Sequence, residues 1–278
     1  MINIENLHFN YSRKPQLFSG LDLQLHPGRI YGLLGKNGTG KSTLLKLIQG
    51  VIFPKAGHIE VDGHLSKARK PAMLQEIFFL TEEYELPSIN INNYLKAYRP
   101  FYPKFDEVKF YRLLEGFEIE RNSKLTELSY GQKKKVLISF ALATNCRYLL
   151  MDEPTNGLDI PSKRQFRKAM LTEFRDDQIV IISTHQIRDL NQLLESVVII
   201  EGGKILFNQS VTALEDKLSF VTQLSAEPVA DSIYVDRVAG GYLHVVPNAT
   251  GTPSEIDLEV LFNAVLVDQQ TINAQFQN

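Results

Sequence analysis

The sequence predicts an α/β protein built on a parallel sheet. Short, mostly apolar runs recur at residues 28–34, 148–151, 179–183 and 197–200. Runs without polar alternation suit strands covered on both faces. The intervals between them are long enough for helical crossovers. The first run leads straight into a glycine-rich turn and then into a helix-like stretch, 43–49, which Gly50 is placed to end.

Other stretches depart from that plan. Within residues 2–60, pieces such as Leu21-Asp22-Leu23-Gln24-Leu25 alternate apolar and polar, which predicts antiparallel strands beside the parallel sheet. Residues 83–145 read as mainly helical. Aromatic side chains crowd residues 94–117; a stripe of this kind serves more often as a subdomain's own core than as a docking groove, and the core reading is preferred here. The run Lys133-Lys134-Lys135 reads as a solvated helix face. From about residue 216 a different unit begins, with strands at 232–235 and 242–246 around a Gly240-Gly241 turn. A closing helix is expected over 256–267, capped by Ser254.

Composition narrows the class. The chain has 278 residues, 44% hydrophobic and 22% charged, enough for a large core without covalent staples. Its one cysteine, Cys146, has no internal partner, which points to a reduced, cytoplasmic setting. A formal net charge of -2 provides no overall positive field for nucleic acid or anionic lipid. Residues 1–5 lack both a basic start and an apolar run. No apolar stretch approaches the roughly 20 residues that span a bilayer.

Two motifs carry chemistry. Gly35-Lys36-Asn37-Gly38-Thr39-Gly40-Lys41-Ser42 fits G-x-x-x-x-G-K-S/T at every fixed position. Glycines let the backbone curl so that successive N–H groups face phosphate oxygens, and the following helix adds the positive end of its dipole. Lys41 supplies a mobile charge to the β- and γ-phosphates, and the Ser42 hydroxyl can ligate Mg2+. At the end of the 148–151 run stand Asp152 and Glu153, where ligands sit in an open α/β sheet. Asp152 can hold Mg2+ directly or through water. That leaves Glu153 as general base on an attacking water.

Leu128-Ser129-Tyr130-Gly131-Gln132 resembles the L-S-G-G-Q signature of ATP-binding cassette (ABC) ATPases, with Tyr130 in place of the first glycine. It lies upstream of the acidic strand, as in that family, and before a helix expected over 133–144. The resemblance covers about residues 1–215. It implies a P-loop NTPase fold, with a RecA-like parallel sheet core and an antiparallel β subdomain. An inserted helical subdomain and a small α+β C-terminal extension complete the fold. The expected domains are residues 1–82 and 146–215 for the nucleotide-binding core, 83–145 for the helical signature subdomain and 216–278 for the extension.

The same resemblance assigns roles. Tyr11 matches the aromatic that stacks on adenine. Asn37, Gly38, Thr39, Gly40, Lys41, Ser42 and Thr43 hold the phosphates. Ser129, Gly131 and Gln132 serve the ATP of a second copy packed head to tail. Gly157-Leu158-Asp159 resembles the loop that crosses the dimer interface, and His185 matches the switch histidine at the γ-phosphate. Glu82, after a strand at 77–80, takes the position where the family usually has a glutamine that reaches Mg2+ or its water. Gln75, before that strand, is its rival.

The function implied is that of a Mg2+-dependent ATPase subunit of a transporter. Such a subunit works as a homodimer, or as a heterodimer with a paralogous cassette. It would sit in the cytoplasm against the inner face of the membrane, driving integral membrane subunits, with no nucleic acid expected. The stretch 101–106 and the tail look most like bacterial drug and ion exporters of the bacitracin-export type. The alternatives weighed are a soluble cassette ATPase acting on nucleic acid or ribosomes, and a P-loop kinase. A kinase has no use for a signature that serves a second subunit.

Overall fold

The computed structural model describes residues 1–187, 190–224 and 229–277. In chain order its first elements are β1 (Ile2–Phe9), β2 (Phe18–Leu25), β3 (Arg29–Leu34), α1 (Lys41–Gln49), β4 (Ala56–Val61), β5 (His64–Leu65), α2 (Pro71–Leu74) and β6 (Ile77–Leu80). Then come α3 (Ile91–Tyr98), α4 (Glu107–Gly116), α5 (Tyr130–Ala143), β7 (Tyr148–Asp152), α6 (Ile160–Glu173), β8 (Ile179–Thr184), β9 (Ser196–Glu201) and β10 (Lys204–Ser210). The chain closes with α7 (Val211–Lys217), β11 (Leu218–Gln223), β12 (Tyr234–Val238), β13 (Gly241–Pro247), α8 (Leu258–Val267) and α9 (Gln269–Ala274).

The central sheet is six-stranded, in the order β10-β9-β3-β8-β7-β6. It is parallel except for the edge strand β10, which runs antiparallel to β9. Its five parallel strands are buried almost without break, and alternate residues of one strand feed different cores. Leu34, Leu149, Met151, Val180 and Ile182 join the helices of the middle region. Tyr31, Leu33, Tyr148, Leu150 and Ile181 join α1 and the antiparallel sheet β2-β1-β4-β5. A strand must be apolar on both sides when both faces are covered, which is why these runs show no polar alternation.

Residues 94–117 pack mainly inward. Tyr94, Phe110 and Phe117 are buried in the larger core, while Tyr98 and Phe101 stay exposed. The C-terminal sheet, β11-β13-β12, packs its Leu243 and Val245 into that same core with Leu261 and Val265 of α8.

The structure corrects three local expectations. The middle helix α5 begins at Tyr130, three residues before the expected 133, because Ser129 and Gln132 form a capping box around its first turn. The cap of α8 is Asp257, whose side chain accepts from the backbone of Glu259 and Val260. Ser254 accepts instead from the Phe220 amide at 3.1 Å. Third, Lys134 is not solvated: it is fully buried, while Lys133 and Lys135 are half-buried.

Candidate functional site

Strand register gathers the site at one edge of the sheet. Leu34 lies beside Thr184, Asp152 beside Ser183 and Leu80 beside Met151. The loops leaving β3, β6, β7 and β8 therefore emerge together at the carboxyl ends of parallel strands.

The first loop needs its glycines. Gly40 has φ 103, a conformation L side chains rarely adopt, and a Cβ there would come within 2.7 Å of the Phe18 ring. As N-cap of α1 it provides no side-chain oxygen, so the first-turn amides are not capped by their own chain. Lys41, the first helical residue, is 7% exposed, and its Nζ donates to the Gly35 carbonyl at 2.7 Å and the Lys36 carbonyl at 3.2 Å. Burial pulls its pKa down, against the opposing pull of Glu153, Asp152 and Glu82.

A cavity of about 520 Å³ opens over this loop. Its lining includes Tyr11, Asn37, Gly38, Gly40, Lys41, Ser42, Thr43, Glu82 and Glu153. Tyr11 reaches the rim with its hydroxyl 3.1 Å from the Thr43 hydroxyl, and its ring is edge-on to Phe9. Thr39 turns away and donates to the Lys36 carbonyl at 2.9 Å, bracing the loop from behind. Glu82 faces the cavity directly after β6, whereas Gln75 lies on the far side of that strand, at the end of α2.

The acidic pair splits in environment. Asp152 ends β7 and accepts a short hydrogen bond from the Ser183 hydroxyl. Glu153 turns into the left-handed region at φ 46 and is 5% exposed. Non-glycine residues in that region store strain that the surroundings must hold. Here the holding groups come from the end of β8. His185 donates to Glu153 Oε1 from its backbone N–H at 3.0 Å, and its Nδ1 lies 2.7 Å from the same oxygen. The Thr184 hydroxyl donates to Oε2 at 3.2 Å. His185 also lines a smaller cavity, about 230 Å³, with Gly35, Lys36, Asn37 and Phe262 of α8.

Ser129, Gly131 and Gln132 are absent from the lining of the cavity over residues 35–42. Ser129 Oγ accepts the Gln132 amide at 3.2 Å, and Gln132 Oε1 accepts the Ser129 amide at 2.9 Å. Tyr130 donates its hydroxyl to the Glu82 carbonyl at 3.0 Å and receives a 2.9 Å bond at its own carbonyl from Tyr84. The two rings stack with centroids 5.4 Å apart. Its ring also presses on Gly157, where a Cβ would come within 2.6 Å. No sequence signal marks Tyr84, Asn156, Ser183 or Thr184: none belongs to a fixed motif position, and their use depends on which loops become neighbours.

The oxygens that could hold a metal are the Ser42 hydroxyl and the Asp152 and Glu82 carboxylates, hard donors suited to Mg2+. Among the described residues, no three His, Cys, Asp or Glu side chains gather into a metal cage. A Mg2+ ion held there would take its remaining ligands from phosphate and water.

A parallel sheet with a glycine loop, a buried lysine and an acidic pair at its carboxyl edge defines a P-loop nucleoside triphosphatase. Residues 18–156 match the family described as ABC transporter. The chain is 30% identical over 192 residues to the ABC transporter ATP-binding protein YtrB of Bacillus subtilis, covering 68% of this chain and 65% of that one. It is 30% identical over 236 residues to the phosphonates import ATP-binding protein PhnC of Wolinella succinogenes, covering 78% and 86%. The solved structure of an ATP-binding subunit of an ABC transporter superposes with a TM-score of 0.70 at 23% identity, over 77% of this chain and 92% of that one. The chain belongs to the ATP-binding subunits of ABC transporters.

Proposed function

We propose that this subunit hydrolyses Mg2+-bound ATP at the cavity over residues 35–42 and that the hydrolysis drives closure and reopening of a cassette dimer. Tyr11 stacks on the adenine. The amides of residues 37–43 and the Lys41 ammonium hold the β- and γ-phosphates. Ser42, Asp152 and Glu82 hold Mg2+, which when bound offsets charge on the phosphate oxygens. Glu153 takes the proton of the attacking water; the water oxygen joins the γ-phosphorus as the bond to ADP breaks. His185 fixes the Glu153 carboxylate and faces the γ-phosphate. Ser129, Gly131 and Gln132 serve the nucleotide of the second copy, at the start of α5. In this reading residues 1–82 and 146–215 form the nucleotide-binding core, 83–145 the signature subdomain and 216–278 an extension. No described helix is long and apolar enough to cross a membrane; translocation belongs to separate integral membrane subunits, against whose cytoplasmic face the dimer sits.

The observation that carries this reading is the grip of His185 and Thr184 on Glu153, a carboxylate with both oxygens fixed beside the phosphate cavity. The test is Glu153→Gln. It should bind ATP with wild-type affinity, lose turnover by about 10²-fold or more, and elute as a dimer in ATP. Wild-type hydrolysis in this variant removes Glu153 from the role of base. A monomer in saturating ATP removes the dimer.

A further inference from the structure

The buried lysine of α5 stands at the centre of a circuit that joins three loops of the site. Lys134 is 0% exposed. Its Nζ donates to the carbonyl of Glu153 at 2.9 Å and to that of Asn156 at 3.0 Å. It also lies 5.2 Å from the centroid of the Tyr130 ring, one helical turn back. Two carbonyls and a π-face satisfy an ammonium with three donors. A buried cation is nevertheless costly, and at a site with only packing to do an apolar residue would serve better.

What surrounds it supplies the reason. The carboxylates of Glu82, Glu153 and Asp152 all act on this ammonium. Asn156 bridges the gap to the first of them: its carbonyl accepts from Lys134, and its Nδ2 donates to Glu82 Oε1 at 2.9 Å. Tyr130 closes the ring by donating to the Glu82 carbonyl. Glu82 lines the phosphate cavity, where a carboxylate facing a triphosphate is repelled unless a positive charge lies behind it. Beside Lys41 on the cavity side, Lys134 supplies such charge on the side of Glu82 reached through Asn156.

We propose that Lys134 is a positioning residue for hydrolysis and the charge counterpart of Glu82, setting through Asn156 where the Glu82 carboxylate and the Glu153 backbone lie beneath the nucleotide. This rests on the hydrolytic reading of Glu153 given above. It makes Glu82 and Lys134 dependent on each other: loss of Lys134 takes one positive neighbour from Glu82, and loss of Glu82 leaves Lys134 with only Glu153 and Asp152 to offset its burial.

The test is a double-mutant cycle on the full-length chain, read as steady-state ATP hydrolysis with kcat and KM separated. Lys134→Gln and Glu82→Gln should each lower kcat by about tenfold, the size of couplings inside one polar network, with KM for ATP little changed. The double variant should turn over faster than either single one. Strict additivity, or wild-type kcat in Lys134→Gln, overturns the proposal. Asn156→Ala breaks the bridge without emptying a buried charge site, and it should lower kcat at unchanged KM. Unchanged kcat there overturns the proposal even where Lys134→Gln does not fold. Glu153→Gln runs alongside. If it hydrolyses ATP like the wild type, the reading of the base fails. If it is inactive while the cycle is additive, only the role of Lys134 fails.

Discussion

Glu153 holds a backbone conformation that a glutamate avoids, and its side chain is fastened at both oxygens. One of those fastenings is a ring nitrogen at 2.7 Å, so His185→Ala loosens the carboxylate, leaving it held only by the residue-185 backbone N–H and the Thr184 hydroxyl. We expect kcat to fall by about 10²-fold, within the range for a group that positions a general base, while ATP affinity stays within a few-fold; rapid-mix turnover and equilibrium nucleotide binding check both. Lys134 makes a second prediction at this scale. Burial pulls its pKa down to about 8, although Glu82, Glu153 and Asp152 pull the other way. Below that pH both the folded and the unfolded chain carry the charge, and the penalty on the folded state is complete. As pH rises through about 8 the folded chain releases this proton while the unfolded chain still keeps its own, so the residue's penalty shrinks toward the ordinary lysine range. Denaturant unfolding of the wild type against Lys134→Met should therefore show a difference that moves in favour of the wild type above about pH 8. A pH-independent difference would show that the buried amine is already neutral or is not desolvated.

Among the elements, α1 depends most on a single backbone position. Gly40 combines positive φ with the Phe18 ring pressed against the place of a Cβ. Gly40→Ala must both strain the backbone and displace an aromatic ring of the core, a loss of about 1–3 kcal/mol, and it tilts the first turn of α1 that presents Lys41. The expected result is a lower thermal midpoint together with loss of ATP binding; a stable protein that still binds ATP would show that the loop adapts. The elements were read from sequence with uneven success, and the reason is physical. The strands β3, β7, β8 and β9 were legible because full burial on two faces leaves a continuous apolar run. The loop 35–42 and the acidic pair were legible because their chemistry fixes spacing within a few residues. The start of α5 was missed by three residues because its cap, Ser129, was read as part of a ligand motif. Lys134 was misread because its neighbours Lys133 and Lys135 are less buried, and helix periodicity gives no sign that two carbonyls from another loop close over one lysine of three. Contacts such as Asn156 to Glu82 join residues far apart in sequence and belong to no local pattern.

At the scale of the whole molecule, the C-terminal unit shares the core of the cassette. Leu218, Leu243, Val245, Leu261, Val265 and Ile272 are buried in the same apolar cluster as Leu34, Met151 and Ile199 of the central sheet. Gln269 and Asn273 of α9 donate to the Leu206 carbonyl on the edge strand β10, at 2.9 and 3.0 Å, so the unit also covers part of that edge. Phe262 of α8 lies across the small cavity from His185 and the glycine loop. A chain ending at residue 217 would expose the apolar side of β10 and α7 and free backbone acceptors on an edge strand, the combination that drives association. We therefore expect that truncation to give mostly aggregated protein, seen in the void volume on size exclusion, with a much lower soluble yield than the full chain. The milder change Phe262→Ala trims a side chain that lines this cavity and packs on the core; it should leave the protein soluble and alter kcat more than ATP affinity. A truncated chain that stays monomeric and hydrolyses ATP at the wild-type rate would show that residues 218–278 pack on the cassette without supporting it.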